Sequence, residues 1–281
     1  MAQSHTVRSL DVVPIDDPIE HDVVEVRGDM RDHAKALELC RGADVVVHAA
    51  AALPIRGSRR EILSVNIEGT ATLLAAAREA GVRRFLYISS TSVYGSTRQL
   101  PTKEDSPPDP ISPYGVAKLA AERYCISFSR VYESFESVVL RYFNVFGERQ
   151  SPFSQYAAVV PRFVTAIAAG ETIEIHGDGA QSRDFTYVGN VVDATVRAGG
   201  ADGASGEIFN VAAGSPASVN TIADTIGEIL GKPIERTHLP SRAGDIRDSW
   251  ADLSKSQRVL GYAPEIALAD GLRRTVEYLL R

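Results

Sequence analysis

Short runs of β-branched residues alternate with longer helical patterns, and this alternation sets the strongest limit on what the chain can fold into. Candidate strands cover 6–13, 22–27, 44–48, 85–89 and 137–142, with helical periodicity between them at 32–41, 59–80 and 113–131. Strands separated by single helices need crossover connections, so they lie parallel in one sheet. The runs Asp44-Val-Val-Val-His48 and Phe85-Leu-Tyr-Ile-Ser89 are almost continuously apolar, the pattern of strands covered on both faces. The expected fold is α/β, a doubly wound parallel sheet. Past residue 150 the texture changes to a helix at 157–169, short strands near 172–176, 184–188 and 207–211, and a helix at 219–230. An irregular stretch at 232–250 and a last helix at 264–280 follow. This predicts a smaller C-terminal α+β lobe over the carboxyl edge of the sheet, hence two domains, 1–150 and 151–281. Ligands of such sheets bind at that edge, so the cleft between the lobes is the expected site.

Composition narrows the function classes. The 281 residues carry 30 basic against 36 acidic side chains with no Lys/Arg cluster, which argues against nucleic-acid and anionic-membrane partners. The longest apolar stretch, 45–54, contains His48 and falls far short of the ~20 residues that cross a bilayer. The N-terminus shows neither a basic nor an apolar leader region. Cys40 and Cys125 both fall in helical runs and form no disulfide framework, so a reducing, cytoplasmic location is expected. No metal is expected.

Tyr114 and Lys118 stand four apart at the start of a helix, just after Pro113, so both side chains lie on one face a turn apart. A nearby ammonium favours a phenolate. Bringing a tyrosine from ~10 to ~7 needs about 4 kcal/mol of differential stabilisation, which a lysine and a second positive charge could supply together. The strand 85–89 runs directly into Ser90-Thr91-Ser92-Val93-Tyr94-Gly95, which places hydroxyls at the ligand edge of a parallel sheet. A hydroxyl there can bond a substrate oxygen and pass a proton to a phenolate.

With Tyr114-Gly-Val-Ala-Lys118, the 90–95 turn and Arg141-Tyr-Phe-Asn-Val-Phe-Gly147, the chain resembles the extended short-chain dehydrogenases/reductases, most of all the nucleotide-sugar epimerases of the UDP-galactose 4-epimerase type. The resemblance runs from about residue 5 to the C-terminus and implies a Rossmann-like sheet with NAD as cofactor. It implies Tyr114 as general base, Lys118 as its tuner and nicotinamide-ribose ligand, and Ser90 as partner of the reacting hydroxyl. Phe143 would line the nicotinamide pocket and Asn144 would touch the substrate diphosphate. Asp11, closing the first strand, suits the adenosine ribose hydroxyls, which favours NAD over NADP. Asp29 and Met30 match the adenine-flanking position, and His48-Ala49-Ala50-Ala51 offers small residues to an approaching cofactor. Asn66 lies on the apolar stripe Leu63, Ile67, Thr70, Leu74, so its amide is either a structural clamp or part of the proton network, with the clamp favoured. In the second lobe Arg183 and the Arg242/Asp245 pair resemble the groups that close on the nucleotide, a role suited to the planar fork of arginine. Gly189 departs from the family pattern, where an acidic residue is common.

The reaction is chosen by what the 90–95 turn lacks. Family dehydratases carry an Asp-Glu pair after the catalytic hydroxyl; Thr91 and Ser92 stand there instead, and the Glu usual in decarboxylating relatives is also absent. Redox at one carbinol remains, with the ketose turning over while tethered, which implies a 4-epimerase acting on a UDP-sugar. Ser249, at a position that the family makes bulky in strict hexose enzymes, suggests that a UDP-N-acetylhexosamine is admitted. A nucleotide-sugar reductase or dehydratase is a further alternative. Helices 59–80 and 113–131, with Ala75–Ala77, Ala117, Ala120 and Ala121, suggest a homodimer built on a four-helix contact, although the same alanines also suit packing on the sheet.

One unit of the family pattern is not found. The strand, Gly-rich turn and helix that hold the NAD pyrophosphate should begin about 20 residues before Asp11, yet only ten residues precede it. Gly200-x-x-Gly203-x-x-Gly206 follows a helix and precedes a strand, the reverse of a phosphate turn, and is rejected as one. In the order 3-2-1-4-5-6 the missing first strand is central, so a gap is expected unless 6–13 pairs directly with 44–48. A shortened chain, a degenerate homologue and a partner chain filling the gap all account for it. The alternative function is accordingly a non-catalytic nucleotide-sugar-binding homologue that holds no NAD.

Overall fold

The structure, a computed structural model, describes residues 5–15, 23–53, 58–97, 99–151, 158–241 and 246–281. Along the first half run β1 (Val7–Asp11), β2 (Val23–Arg27), α1 (His33–Cys40), β3 (Val45–His48), α2 (Arg59–Leu63), a π-helical segment Ser64–Gly69, α3 (Thr70–Glu79), β4 (Arg84–Ser90), α4 (Pro113–Val131) and β5 (Glu136–Tyr142). There follow β6 (Val145–Phe146), α5 (Val159–Ala169), β7 (Ile173–His176), β8 (Ser182–Arg183), β9 (Thr186–Tyr187), α6 (Val188–Gly200), β10 (Glu207–Val211), β11 (Ala217–Ser218), α7 (Val219–Leu230), β12 (Arg236–Leu239), β13 (Asp248–Ser249), α8 (Ser254–Leu260) and α9 (Leu268–Leu279). Two compact units share the chain, which passes between them after Val93, Ile111, Leu140, Thr195 and Phe209. The sequence reading draws one boundary at 150; the units interleave instead, because β10 returns from late in the chain to the sheet of the first.

In the first unit the sheet order is β10-β5-β4-β3, with β3 and β4 parallel from Val45 opposite Arg84 to His48 opposite Tyr87. β4 is buried from Arg84 to Ser89, as its unbroken apolar run requires of a strand covered on both faces. The charged head of Arg84 is satisfied at the strand's start: it bonds Glu136 at 2.7 Å and the carbonyls of Ala198 and Ala201. β1 and β2 form a separate parallel pair, Val7 opposite Val23 through Asp11 opposite Arg27. Among the described residues β1 and β3 share no ladder, so the direct pairing that would close the sheet does not form. The Gly200–Gly206 loop joins α6 to β10 and donates Gly206 N–H to the Ser137 carbonyl, a connection rather than a phosphate cradle.

The stretch 59–80 is not one helix. Its middle turn widens to π geometry around Asn66, whose side-chain oxygen accepts from Ala52 N–H at 2.7 Å and whose amide donates to Ala52 O at 2.9 Å. Of the two roles open to Asn66, the structure displays the clamp. One turn on, Thr70 Oγ donates to the Asn66 carbonyl at 2.7 Å and lies 2.9 Å from His48 Nε2. His48 closes β3, fully buried against Phe85 and Tyr87. Its side chain is thus a member of the core, and only backbone at 48–51 is left for a ligand. Met30 is buried likewise against Gly69 of the π segment. Of the alanines expected at an interface between copies, Ala76, Ala77 and Ala121 pack in the core with Leu73, Leu74 and Phe85 and Ala117 is buried on α4, while Ala75 and Ala120 are half-buried.

The second unit holds the core Phe146, Val160, Phe163, Ile167, Ile175, Ile222 and Leu272 under α5, α7 and α9. Two elements lie inside the stretch read as irregular. β12 pairs with β7, Arg236 opposite Ile173 through Leu239 opposite His176, and β13 joins β8 and β11 in a three-stranded sheet. Gly189 opens α6, and a Cβ there would lie 2.8 Å from the Tyr187 ring and 3.0 Å from Ile266. Close packing thus accounts for glycine where the family pattern carries an acid.

Burial in apolar surroundings pulls the His48 imidazole down to about 3, with the Lys118 charge adding to the effect. Below about pH 6.5 the unfolded chain takes up a proton that the folded one refuses, so this contribution to stability is complete above pH 6.5 and lost on acidification at about 1.4 kcal/mol per pH unit. Replacing His48→Gln removes that dependence: urea titrations at pH 7 and pH 5 should show the stability difference between wild type and variant shrinking by about 2 kcal/mol. A constant difference would place His48 outside the core network.

Candidate active site

α4 begins at a strong stop signal. Ser112 caps it, its Oγ accepting from Gly115 N–H at 3.1 Å, and Pro113 supplies a preset first turn. That start fixes which residues face inward: Gly115, Ala117, Lys118, Ala121, Glu122, Cys125 and Ile126 are buried along one face. The same face brings Tyr114 and Lys118 beside the end of β4. The Tyr114 hydroxyl hydrogen-bonds Ser90, the last residue of that strand. Lys118 Nζ donates to the Ile88 carbonyl at 2.8 Å and lies 4.9 Å above the Tyr87 ring and 5.8 Å from the Tyr114 ring. The three residues read as catalytic from the sequence therefore form one cluster within the first unit.

Its electrostatics differ from the simplest expectation. Burial pushes the Tyr114 phenol up, and the Ser90 hydrogen bond only partly offsets this. Burial pulls Lys118 down to about 8, against the opposing influence of Cys125 and Glu122. At neutral pH the lysine is therefore mostly ammonium, while the phenolate needs a further positive charge. A bound nicotinium ring is a group of that kind.

Past β4 a 3-10 turn, Thr91–Val93, carries the chain through Tyr94 to Gly95. Gly95 has φ +62°, and a Cβ there would fall 1.8 Å from the Asp109 carbonyl, so no other residue closes this turn. Ser92 N–H bonds Ser90 Oγ at 3.2 Å, which orients the Ser90 hydroxyl.

The second unit carries its own group. Phe143 is fully buried and stacks near Tyr94, whereas Asn144 is exposed, its carbonyl accepting from Thr186 N–H. Arg183 on β8 stands directly opposite Ser249 on β13, so these two ligand candidates share one edge. The guanidinium of Arg183 donates to the carbonyls of Ser182 and Arg247. Next to it Asp184 is completely buried and accepts from the amides of Ala213, Gly214 and Ala251. This carboxylate, absent from the sequence reading, ties three loops together around Arg183; burial lifts it to about 6 despite those bonds. Arg242 and Asp245 lie outside the described residues.

At the adenosine end, Asp11 closes β1 and accepts from Val13 N–H, and Gly28 N–H bonds the Asp11 carbonyl, so Asp11 and Asp29 lie at neighbouring strand ends. Asp29 forms a bidentate pair with Arg31. The donor set suits the two ribose ends of a dinucleotide: Tyr114 and Lys118 at one, the Asp11 carboxylate at the other. Among the described residues no glycine-rich turn between strand and helix receives a pyrophosphate. No group of three or more His, Cys, Asp or Glu side chains among the described residues could hold a metal, and no helix there is long and apolar enough to cross a membrane.

A hydroxyl at the end of a buried parallel strand, facing a tyrosine and a lysine one helical turn apart, defines a site of the short-chain dehydrogenase/reductase type. The NAD dependent epimerase/dehydratase family matches residues 1–212, and the chain belongs to that family. It is 40% identical over 239 residues to a UDP-glucose 4-epimerase of Mycolicibacterium smegmatis, covering 84% of this chain and 75% of that protein. Its fold is similar to that of the UDP-N-acetylglucosamine 4-epimerase of Methanobrevibacter ruminantium in complex with UDP-N-acetylmuramic acid (TM-score 0.92, 32% identity, 99% of this chain and 92% of the other). It is similar also to the UDP-glucose 4-epimerase of Thermotoga maritima with UDP-glucose (TM-score 0.91, 32% identity, the same shares of the two chains).

Proposed function

We propose that this chain catalyses NAD-dependent epimerisation at C4 of a UDP-sugar through a 4-keto intermediate, in the cytoplasm. The observation that carries the reading is the Ser90, Tyr114 and Lys118 cluster followed by Thr91 and Ser92, which offer no acid for elimination of water. Tyr114 accepts the proton of the C4 hydroxyl and later returns it. Ser90 holds that hydroxyl in line with the phenolic oxygen. Lys118, kept as ammonium, stabilises the phenolate and bonds the nicotinamide ribose. Bound NAD supplies the acceptor and donor of the hydride. Phe143 lines the nicotinamide pocket; Asp11, Asp29, Met30 and the backbone of Ala49–Ala51 meet the adenosine half, with Asn66 holding Ala52 in place beside them. Asn144, Arg183, Arg242 and Asp245 hold the diphosphate, so that the ketose alone is free to turn over.

Replacing Tyr114→Phe should lower turnover of UDP-glucose by about 10²–10⁴ while UDP binding, followed by calorimetry, is retained. Turnover near that of the wild type would remove Tyr114 as the base.

Ser249 is small and lies opposite Arg183, so a bulkier residue there would crowd an N-acetyl group beside the diphosphate ligand. Ser249→Tyr should abolish turnover of UDP-N-acetylglucosamine and spare UDP-glucose; equal loss of both would refute a role in sugar selection.

The separation of β1–β2 from the main sheet favours a second reading, a homologue that binds UDP-sugar but no NAD. Purified chain that retains UDP-sugar binding without bound NAD(H), and that epimerises neither UDP-glucose nor UDP-N-acetylglucosamine, would establish it.

A homodimer accompanies the enzymatic reading. With Ala76, Ala77, Ala117 and Ala121 buried, its contact falls mainly to the exposed apolar side chains Leu63 on α2 and Val116 and Tyr124 on α4. Val116→Glu should convert the dimer to monomer in sedimentation experiments; a wild-type chain that sediments as a monomer would end the proposal.

A further inference from the structure

The mechanism uses Lys118 as an ammonium, yet the protein buries this group almost completely, with 3% of the residue exposed. An isolated ammonium in such a place is costly, and its contacts so far are a carbonyl and two aromatic faces. One helical turn further along the buried face of α4 stands Glu122, wholly inaccessible to solvent. Its Oε1 accepts a hydrogen bond from Ser89 Oγ at 2.5 Å. Ser89 is the neighbour of Ser90 on β4, and Ile88, whose carbonyl binds Lys118, precedes it. Strand and helix thus meet in alternating contacts: Ile88 to Lys118, Ser89 to Glu122, Ser90 to Tyr114.

We propose that Glu122, clasped by Ser89, is the buried counter-ion of Lys118 and so a positioning residue for the Tyr114 phenolate. The inference rests on the epimerase reading for its catalytic consequence, but not for the pairing itself. The charge of Glu122 acts on Lys118 in the sense that holds the lysine's proton, and a spacing of four puts it on the same face of the helix. The other titratable groups around Lys118 are Tyr87 and His48 from the sheet and Tyr114 and Cys125 from its own helix. None of them supplies a permanent negative charge at neutral pH: His48 is held neutral, and burial pushes Tyr87 and Cys125 far up. Glu122 is the carboxylate of the group. Without it the ammonium would lose its proton at lower pH, and the phenolate would lose its support with it.

Glu122→Gln keeps the shape and the acceptor for Ser89 while removing the charge; Glu122→Asp keeps the charge on a shorter arm. With NAD present, the alkaline limb of the kcat profile for UDP-glucose should move down by at least about one pH unit in the Gln variant, with KM within about twofold of wild type. The Asp variant should restore much of the limb. A structural role alone would lower both variants without moving the limb. A second readout needs no activity: the titration of Lys118 followed through the 13Cε signals of the chain's lysines, assigned with Lys118→Met. Its midpoint should fall by about one unit or more in Glu122→Gln. An unchanged midpoint overturns the proposal even if the enzyme turns over. A lowered midpoint in Glu122→Gln, alongside a wild-type chain that shows no epimerisation, upholds the pairing and refutes the reaction instead.

Discussion

Everything at the candidate site depends on the burial of β4 on both faces. A strand with no solvent-facing side offers neighbouring elements mostly apolar side chains, with a few backbone and hydroxyl groups towards its end. α4 therefore docks through one inward face, and that face carries Lys118 and Glu122 along with its alanines. The polar groups on it must find partners on β4 itself, which they do at Ile88, Ser89 and Ser90. Chemistry and packing are here the same contact. Moving α4 along the strand by one turn would leave two buried charges without partners.

The second unit solves a different problem by similar means. Its strands are two to four residues long and supply little ladder, so loops far apart in sequence are drawn together by single buried groups. Asp184 collects three amides; Asn210 bonds the Tyr94 hydroxyl and the Thr102 and Asp252 carbonyls; Asn190 brackets Ile266 through both its amide atoms. Each of these side chains does work that a longer sheet would leave to backbone pairing.

What could be read in advance follows from how local each signal is. The parallel strands, the start of α4 and the Tyr114/Lys118 spacing depend on neighbours within a few residues, and the sequence carries them openly. So does the buried amide of Asn66, which a polar residue on an apolar stripe announces. The pairing of β12 with β7 joins positions more than sixty residues apart with no hairpin connecting them, and nothing in 232–250 betrays it. Ala76, Ala77, Ala117 and Ala121 satisfy two readings equally until the packing partner is known. Glu122 was within reach of the same spacing argument that found Lys118, since four further residues complete the next turn. The cue is a charge placed where the helix is otherwise apolar.

The π-helical segment at Ser64–Gly69 holds one residue more in its turn than an α-helix would. In an α-helix each residue advances the azimuth by about 100°, so everything downstream is rotated by that amount relative to an unbroken helix. Downstream of it Thr70, Leu73, Leu74, Ala76 and Ala77 are buried. Arg59, Arg60 and Glu61 upstream keep their exposed positions. The segment is thus a phase shifter between α2 and α3: a one-residue deletion between Leu63 and Thr70 would turn the whole of α3 about its axis relative to its neighbours α1 and α4 while leaving its sequence intact.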